Sequence, residues 1–178
     1  MRGFTALAEQ LPPAEVAQRL NRFYILASDA IFAYDGTLDK LVGDQVMAFF
    51  GAPLHAKDHP PRAVRAALRI LAGVENLAQD KPLRVGAGIA SGPAFVGNVG
   101  GGAVTDYTVL GDTVNVAARL QGAAASGELL VTEETFRHVE SEFSSAPSRD
   151  LELKGKSESV RARVIGIDDM AHGHGPQI

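Results

Sequence analysis

Residues 106–120 read DYTVLGDTVNVAARL, and their hydrophobic period changes midway. Tyr107, Val109 and Leu110 suit a strand. Beyond Gly111-Asp112, the groups Val114, Ala117, Ala118 and Leu120 suit one side of a helix beginning at about Thr113, with Asp112 placed to cap it. On this helix Asn115 and Arg119 stand four residues apart and share a face. The pair reads either as a solvated polar contact or as a neutral hydrogen-bonding group and a fixed cation that grip a ligand bearing sugar hydroxyls and phosphate, a task suited to the planar Arg fork.

The rest of the chain alternates the same two patterns. Val16, Leu20, Phe23, Ala27, Ile31 and Tyr34 form a stripe on a helix from about Ala14 to Tyr34, entered through Pro12-Pro13 and stopped at Gly36. Tyr24, Ile25, Leu26 and Phe32 make it apolar nearly all round, so it is central to the core or half of a subunit interface. Val64, Leu68, Leu71, Val74 and Leu77 make a second stripe behind Pro60-Pro61, with Arg62, Arg65 and Arg69 as its solvated face. Thr37–Val42 and Gln45–Phe50 flank Gly43-Asp44, a hairpin signal, and Leu83–Ala90 and Ala94–Val99 flank Ser91-Gly92-Pro93. Leu129–Thr132 and Val160–Ile167 read as later strands, with a short helix at Glu133–Val139. Hairpins mixed with helices predict a largely antiparallel sheet covered on one face. One domain over residues 1–167 and an irregular, disordered tail over 168–178 are expected.

Composition excludes several classes. The 17 basic and 21 acidic residues give a net charge of −4 without a Lys/Arg block, which argues against nucleic acid as a partner. The chain has no Cys, which removes disulfides, zinc-thiolate sites and thiol catalysis and suits a reducing, cytoplasmic setting. The uncharged run Val85–Thr105 has the length of a membrane span, but seven glycines and Pro93 make it strand, turn and strand, so no membrane insertion by this segment is expected.

The groups able to do chemistry are scattered. Asp44, at the tip of the first hairpin, is either turn chemistry or a carboxylate for a hard divalent cation. Lys40 is either a surface Lys on the adjoining strand or a donor aimed into a pocket. Lys154, in Leu153-Lys154-Gly155-Lys156, joins two strands, and a Lys beside Gly at a turn either meets phosphate or serves solubility alone. Arg2-Gly3-Phe4-Thr5 precedes a short helix, Ala6–Leu11, whose free amides could hold an anion. His55 and His59 flank Asp58 but adjoin Pro60-Pro61, which puts them on a loop and makes a metal site there improbable. Gly86-Ala87-Gly88-Ile89-Ala90-Ser91 lacks the third Gly of a dinucleotide fingerprint, and neither a phosphate-binding G-x-x-x-x-G-K-[ST] loop nor a hydrolase G-x-S-x-G elbow occurs.

Taken in order, RGFT, GTLDKLVGDQVMAFFG, VGNVG, DYTVLGDTVNVAARL and LKGKSE resemble the catalytic domain of class III adenylate/guanylate cyclases from Arg2 to about Ile167. The resemblance implies a ferredoxin-like α+β fold that dimerises head to tail, with ATP between subunits and two Mg²⁺ or Mn²⁺ ions. By the same resemblance Asp44 is the second metal aspartate, and Gly3, Phe4 and Thr5 form the loop whose amides hold the triphosphate. Lys40 and Thr108 read the purine, Asn115 orients the ribose, Arg119 stabilises the transition state and Lys154 neutralises terminal phosphates. Thr108 replaces an Asp common in adenylate cyclases, as in the bicarbonate-responsive subgroup. Adenine offers an acceptor at N1 and a donor at its 6-amino group, which a Lys and a Thr hydroxyl can meet, so ATP is the expected substrate rather than GTP. Family members carry a strand ending in Asp-Ile before RGFT, whereas Met1 holds the Ile position here. The first strand and first metal aspartate are therefore expected to be missing. The rival expectation is a catalytically silent nucleotide-binding or dimerisation module that regulates a partner. A sensor domain in a longer parent protein fits either reading.

Overall fold

The computed structural model describes residues 1–77, 83–152, 159–167 and 169. A short helix α1 (Phe4–Gln10) and a long one, α2 (Pro13–Ala33), lead into the hairpin β1 (Thr37–Val42) and β2 (Gln45–Phe49). Helix α3 (His59–Asn76) precedes β3 (Ala87–Ile89), the paired β4 (Phe95–Gly101) and β5 (Val104–Leu110), and helix α4 (Asp112–Ala123). Then come β6 (Glu128–Thr132), the single turn α5 (Glu133–Phe136), β7 (Ser148–Leu151) and β8 (Val160–Gly166). Proline sets both long helices: Pro13 opens α2 and Pro60-Pro61 lie in the first turn of α3, where a missing N–H costs nothing.

The strands pair as β1-β2, β4-β5 and β3-β6-β8-β7. All described pairings are antiparallel except β3 with β6. Two expectations are corrected. Strands β3 and β4 do not form a hairpin across Ser91-Gly92-Pro93, because β3 joins β6 and β4 folds back on β5. The four-stranded sheet is also covered on both faces. Leu129, Val131 and Ile165 join Phe23, Val64 and Leu68 of α2 and α3, while Leu130 and Ala162 meet Leu120 and Ala124 of α4. Alternate residues of β6 thus enter opposite layers, and Leu129-Leu130-Val131 is buried without a break. Each such side chain contributes roughly 1.5–3 kcal/mol through burial.

Residues 1 and 2 lie between the hairpin and the run into β3. The Met1 amino group donates to the Asp44 carbonyl at 3.0 Å, and the Arg2 amide donates to the Arg84 carbonyl at 2.6 Å. Helix α2 buries Phe23, Ala27, Ala30 and Ile31 and leaves Ile25 and Phe32 exposed, so its apolar surface faces both the core and outward. Arg62 is not on a solvated face: its side chain is 16% exposed and is tied to Asp35 at 2.8 Å and Asp58 at 3.3 Å. Of the tail, Asp169 accepts from the Gly166 amide at 2.8 Å. The other tail residues, 168 and 170–178, fall outside the described residues. No helix among the described residues is long and apolar enough to cross a membrane.

Candidate active site

The two purine-reading candidates meet. Lys40 on β1 and Thr108 on β5 come from hairpins that share no sheet, yet Lys40 Nζ donates to Thr108 Oγ1 at 3.2 Å. Two carboxylates complete the group. Asp106 accepts an ion-paired hydrogen bond from Lys40, and Asp39 accepts one from the Thr108 hydroxyl at 3.0 Å. The Asp106 hydrogen bond is the main reason the Lys40 ammonium is held above its ordinary pKa, with desolvation opposing and the charge of Asp39 adding.

A β-bulge explains how consecutive residues reach one partner. Thr37 and Leu38 pair with Phe49 and Ala48, Lys40 pairs with Met47, and Asp39 is the extra residue between them. A regular strand would send Asp39 and Lys40 to opposite faces; the bulge turns both toward Thr108. For this reason alternation could not have singled out Asp39. Asp106, which the sequence reading also misses, carries a signal that could have found it, since it lies two residues before Thr108 on a strand and so on the same face.

Asn115 and Arg119 sit on α4, four residues apart as expected. The cap differs: Gly111 is the N-cap and Asp112 is the first helical residue, while the Thr113 hydroxyl donates to the Pro93 carbonyl at 2.8 Å. Asn115 is exposed. Arg119 Nη1 is buried without a hydrogen-bond partner, and no described residue bonds elsewhere to its guanidinium. Arg2 and Arg62 each have one such nitrogen too, but their other nitrogens bond to the Gln121 carbonyl and to Asp35. A buried donor left unsatisfied costs about 1–3 kcal/mol, which an anionic or carbonyl ligand would recover. Among the described residues no hydrogen bond joins Asn115 or Arg119 to Lys40 or Thr108.

Asp44 lies in the β1–β2 turn, and its carboxylate accepts an ion pair from the Met1 amino group. A carboxylate that already holds a cation, with its side chain 26% exposed, fits one oxygen ligand of a hard divalent ion. Among the described residues no three His, Asp or Glu side chains converge as a complete metal-binding set. Gly3 is the N-cap of α1 in the left-handed region at φ 66°, and Phe4 and Thr5 are the first helical residues, so the helix starts two residues earlier than Ala6. Beside them lies a cavity of about 400 Å³ lined by Arg2, Gly3, Phe4, Leu7, Leu83 and Arg84. It contains neither Lys40 nor Arg119. Lys154 lies outside the described residues, although β7 and β8 on either side of it pair antiparallel. His59 opens α3 rather than lying on a loop, and burial, followed by the charges of His138 and His55, holds its imidazole below the ordinary pKa.

The chain belongs to the adenylate and guanylate cyclase catalytic domain family, whose model matches residues 1–165. Its structure resembles the adenylyl cyclase CyaB from P. aeruginosa, at 33% identity and a TM-score of 0.82 over 92% of this chain and 89% of that one. It also resembles the guanylyl cyclase Cya2, at 29% identity and a TM-score of 0.86 over 92% of this chain and 86% of that one. An uncharacterized protein of Mycobacterium tuberculosis is 36% identical over 168 residues, which is 91% of this chain and 31% of that protein. The chain thus spans under a third of the curated relatives it matches. It is a nucleotide cyclase catalytic domain with the α+β cyclase fold, and its structural neighbours include cyclases of both purine classes.

Proposed function

We propose that this domain converts ATP to 3′,5′-cyclic AMP and pyrophosphate at the interface of a homodimer. The observation that carries the reading is the Lys40–Thr108 pair, a cationic donor 3.2 Å from a hydroxyl. Adenine presents an acceptor at N1 beside a donor at its 6-amino group, and the pair matches both, whereas guanine presents a donor at N1 that Lys40 cannot accept.

The reaction joins the ribose 3′-oxygen to the α-phosphorus and breaks the bond to the β-phosphate bridge, releasing pyrophosphate. In this reading Asn115 orients the ribose. Arg119, whose buried Nη1 has no partner among the described residues, places its fork against charge that builds on the phosphoryl oxygens. The backbone at Gly3, Phe4 and Thr5, together with Lys154, meets the triphosphate. Asp44 would hold Mg²⁺ or Mn²⁺, which when bound supplies charge neutralisation at the phosphates and lowers the 3′-hydroxyl pKa. The exposed apolar groups Ile25 and Phe32 on α2 and Phe95 and Leu110 on the β4–β5 hairpin favour a second copy of the chain as partner. A cytoplasmic location suits the substrate.

Incubation with ATP or GTP and Mn²⁺, with products separated by chromatography, tests the proposal. Cyclic AMP and pyrophosphate in equal amounts from ATP, with slower product from GTP, are expected. A preference for GTP would overturn the substrate, and nucleotide binding without any cyclic product would favour the silent module. Sedimentation at tens of micromolar that showed monomer alone would overturn the shared site.

A further inference from the structure

We propose that Asp39 is a positioning residue that sets purine preference by making Thr108 an obligatory acceptor. The proposal rests on the reading that Lys40 and Thr108 meet the base. A hydroxyl has one proton and two lone pairs. At Thr108 the proton goes to Asp39 Oδ2 at 3.0 Å, and one lone pair takes the Lys40 ammonium at 3.2 Å. One lone pair is left for a ligand, so whatever meets Thr108 must donate. The adenine 6-amino group does; the guanine 6-oxygen would set lone pair against lone pair.

Asp39 is built for this task. Its side chain is fully inaccessible, and the bulge that carries it into the space beneath Thr108 forgoes a ladder pairing. Its contact to Lys40 is the longer one, 3.5 Å, while Lys40 has Asp106 as its ion-pair partner, so neutralising the lysine is not what its placement serves best. Lys40 discriminates at purine position 1 and the Asp39–Thr108 unit at position 6. The two controls are separable in chemistry and therefore in experiment.

The test uses 3′-deoxy nucleoside triphosphates, which bind but cannot cyclise, titrated calorimetrically into the wild-type protein and Asp39→Asn. An Asn amide can donate to Thr108 and release its proton toward the ligand. The expected result is a roughly tenfold fall in the ratio of 3′-dATP to 3′-dGTP affinity, with a gain for the guanine analogue. Equal weakening of both, as a purely structural role would give, overturns the inference. A measurement without any variant stands beside it, in case Asp39→Asn does not fold. Wild-type protein should bind 3′-dATP roughly tenfold tighter than the 3′-deoxy triphosphate of unsubstituted purine, which keeps N1 but lacks the 6-amino donor. Equal affinity overturns the inference whatever the variant does. If the wild-type protein binds neither purine or prefers guanine, the reading of the site falls as well; if it prefers adenine and the ratio survives in Asp39→Asn, the role of Asp39 falls alone.

Discussion

Gly88 of β3 runs so close to α4 that a Cβ there would lie 2.2 Å from the Gln121 amide nitrogen and 2.6 Å from the Ala117 carbonyl oxygen. Backbone packs on backbone, and this contact sets the height of the helix that carries Asn115 and Arg119. The same turn of α4 is tied down by Arg2, which donates to the Gln121 carbonyl, and by Gln121 Nε2, which donates to the Gly86 carbonyl at 3.4 Å. Neither partner of Gly88 is a flexible side-chain end, so the helix itself must move to admit a methyl group. Gly88→Ala is expected to cost about 1–3 kcal/mol in urea unfolding and to lower turnover through Arg119, with nucleotide affinity less affected.

Lys40→Glu should lower ATP turnover much more than GTP turnover if Lys40 reads the base as proposed, since it exchanges a donor for an acceptor at that position. The structure adds a condition. The new carboxylate would face Asp39 and Asp106, both partners of Lys40. Combining it with Asp106→Asn removes one of these repulsions, and the double variant should show a larger shift toward GTP than Lys40→Glu alone. An unchanged ATP/GTP ratio in both would take Lys40 out of the base pocket.

Local punctuation carried much of the fold. Pro12-Pro13 and Pro60-Pro61 marked the starts of α2 and α3, and Gly43-Asp44 marked the β1–β2 turn, because these residues act through their own dihedrals. Partner choice was not legible. Ser91-Gly92-Pro93 has turn composition, yet β3 takes β6 as neighbour, a pairing decided by α3 and α4 closing on both faces. Strand β7, Ser148–Leu151, is short and carries Arg149 and Asp150, so neither length nor apolar period bounds it, and only the Leu153-Lys154-Gly155-Lys156 turn implies a strand before it. Of the residues that cluster there, Lys40 and Thr108 are singled out by the sequence and Asp39 is not, since a bulge is a departure from the very alternation used to read a strand.

Glu128 and Arg149 tie β6 to β7 by a two-pronged ion pair, with contacts of 2.8 and 2.9 Å, and Glu128 also accepts from the Ala125 amide at 2.8 Å. The Arg149 hydrogen bonds hold the carboxyl below its ordinary value of 4.5, with burial opposing and the Ala125 amide adding. A depressed folded-state pKa contributes stability that is fully present above 4.5 and is lost as pH falls through the folded value. Glu128→Gln should therefore be less stable than the wild type at pH 7, by on the order of 1 kcal/mol for a partly exposed pair. The two unfolding curves should converge below the folded pKa of Glu128. A deficit that persists unchanged into that acid range would assign the effect to packing instead.

Arg119 separates stability from chemistry most cleanly. Its guanidinium makes no hydrogen bond to a described residue and keeps Nη1 buried without a partner, so the folded protein gains little from it and carries an unsatisfied donor. Arg119→Lys retains the charge but loses the planar fork that could bridge two phosphoryl oxygens. Turnover should fall roughly 10²- to 10³-fold, the scale for losing a group that meets transition-state charge, while KM for ATP changes only a few-fold. Thermal stability should stay level or rise slightly. A variant that lost stability along with activity would make Arg119 a structural residue, and one whose loss appeared mainly in KM would make it a ground-state phosphate contact.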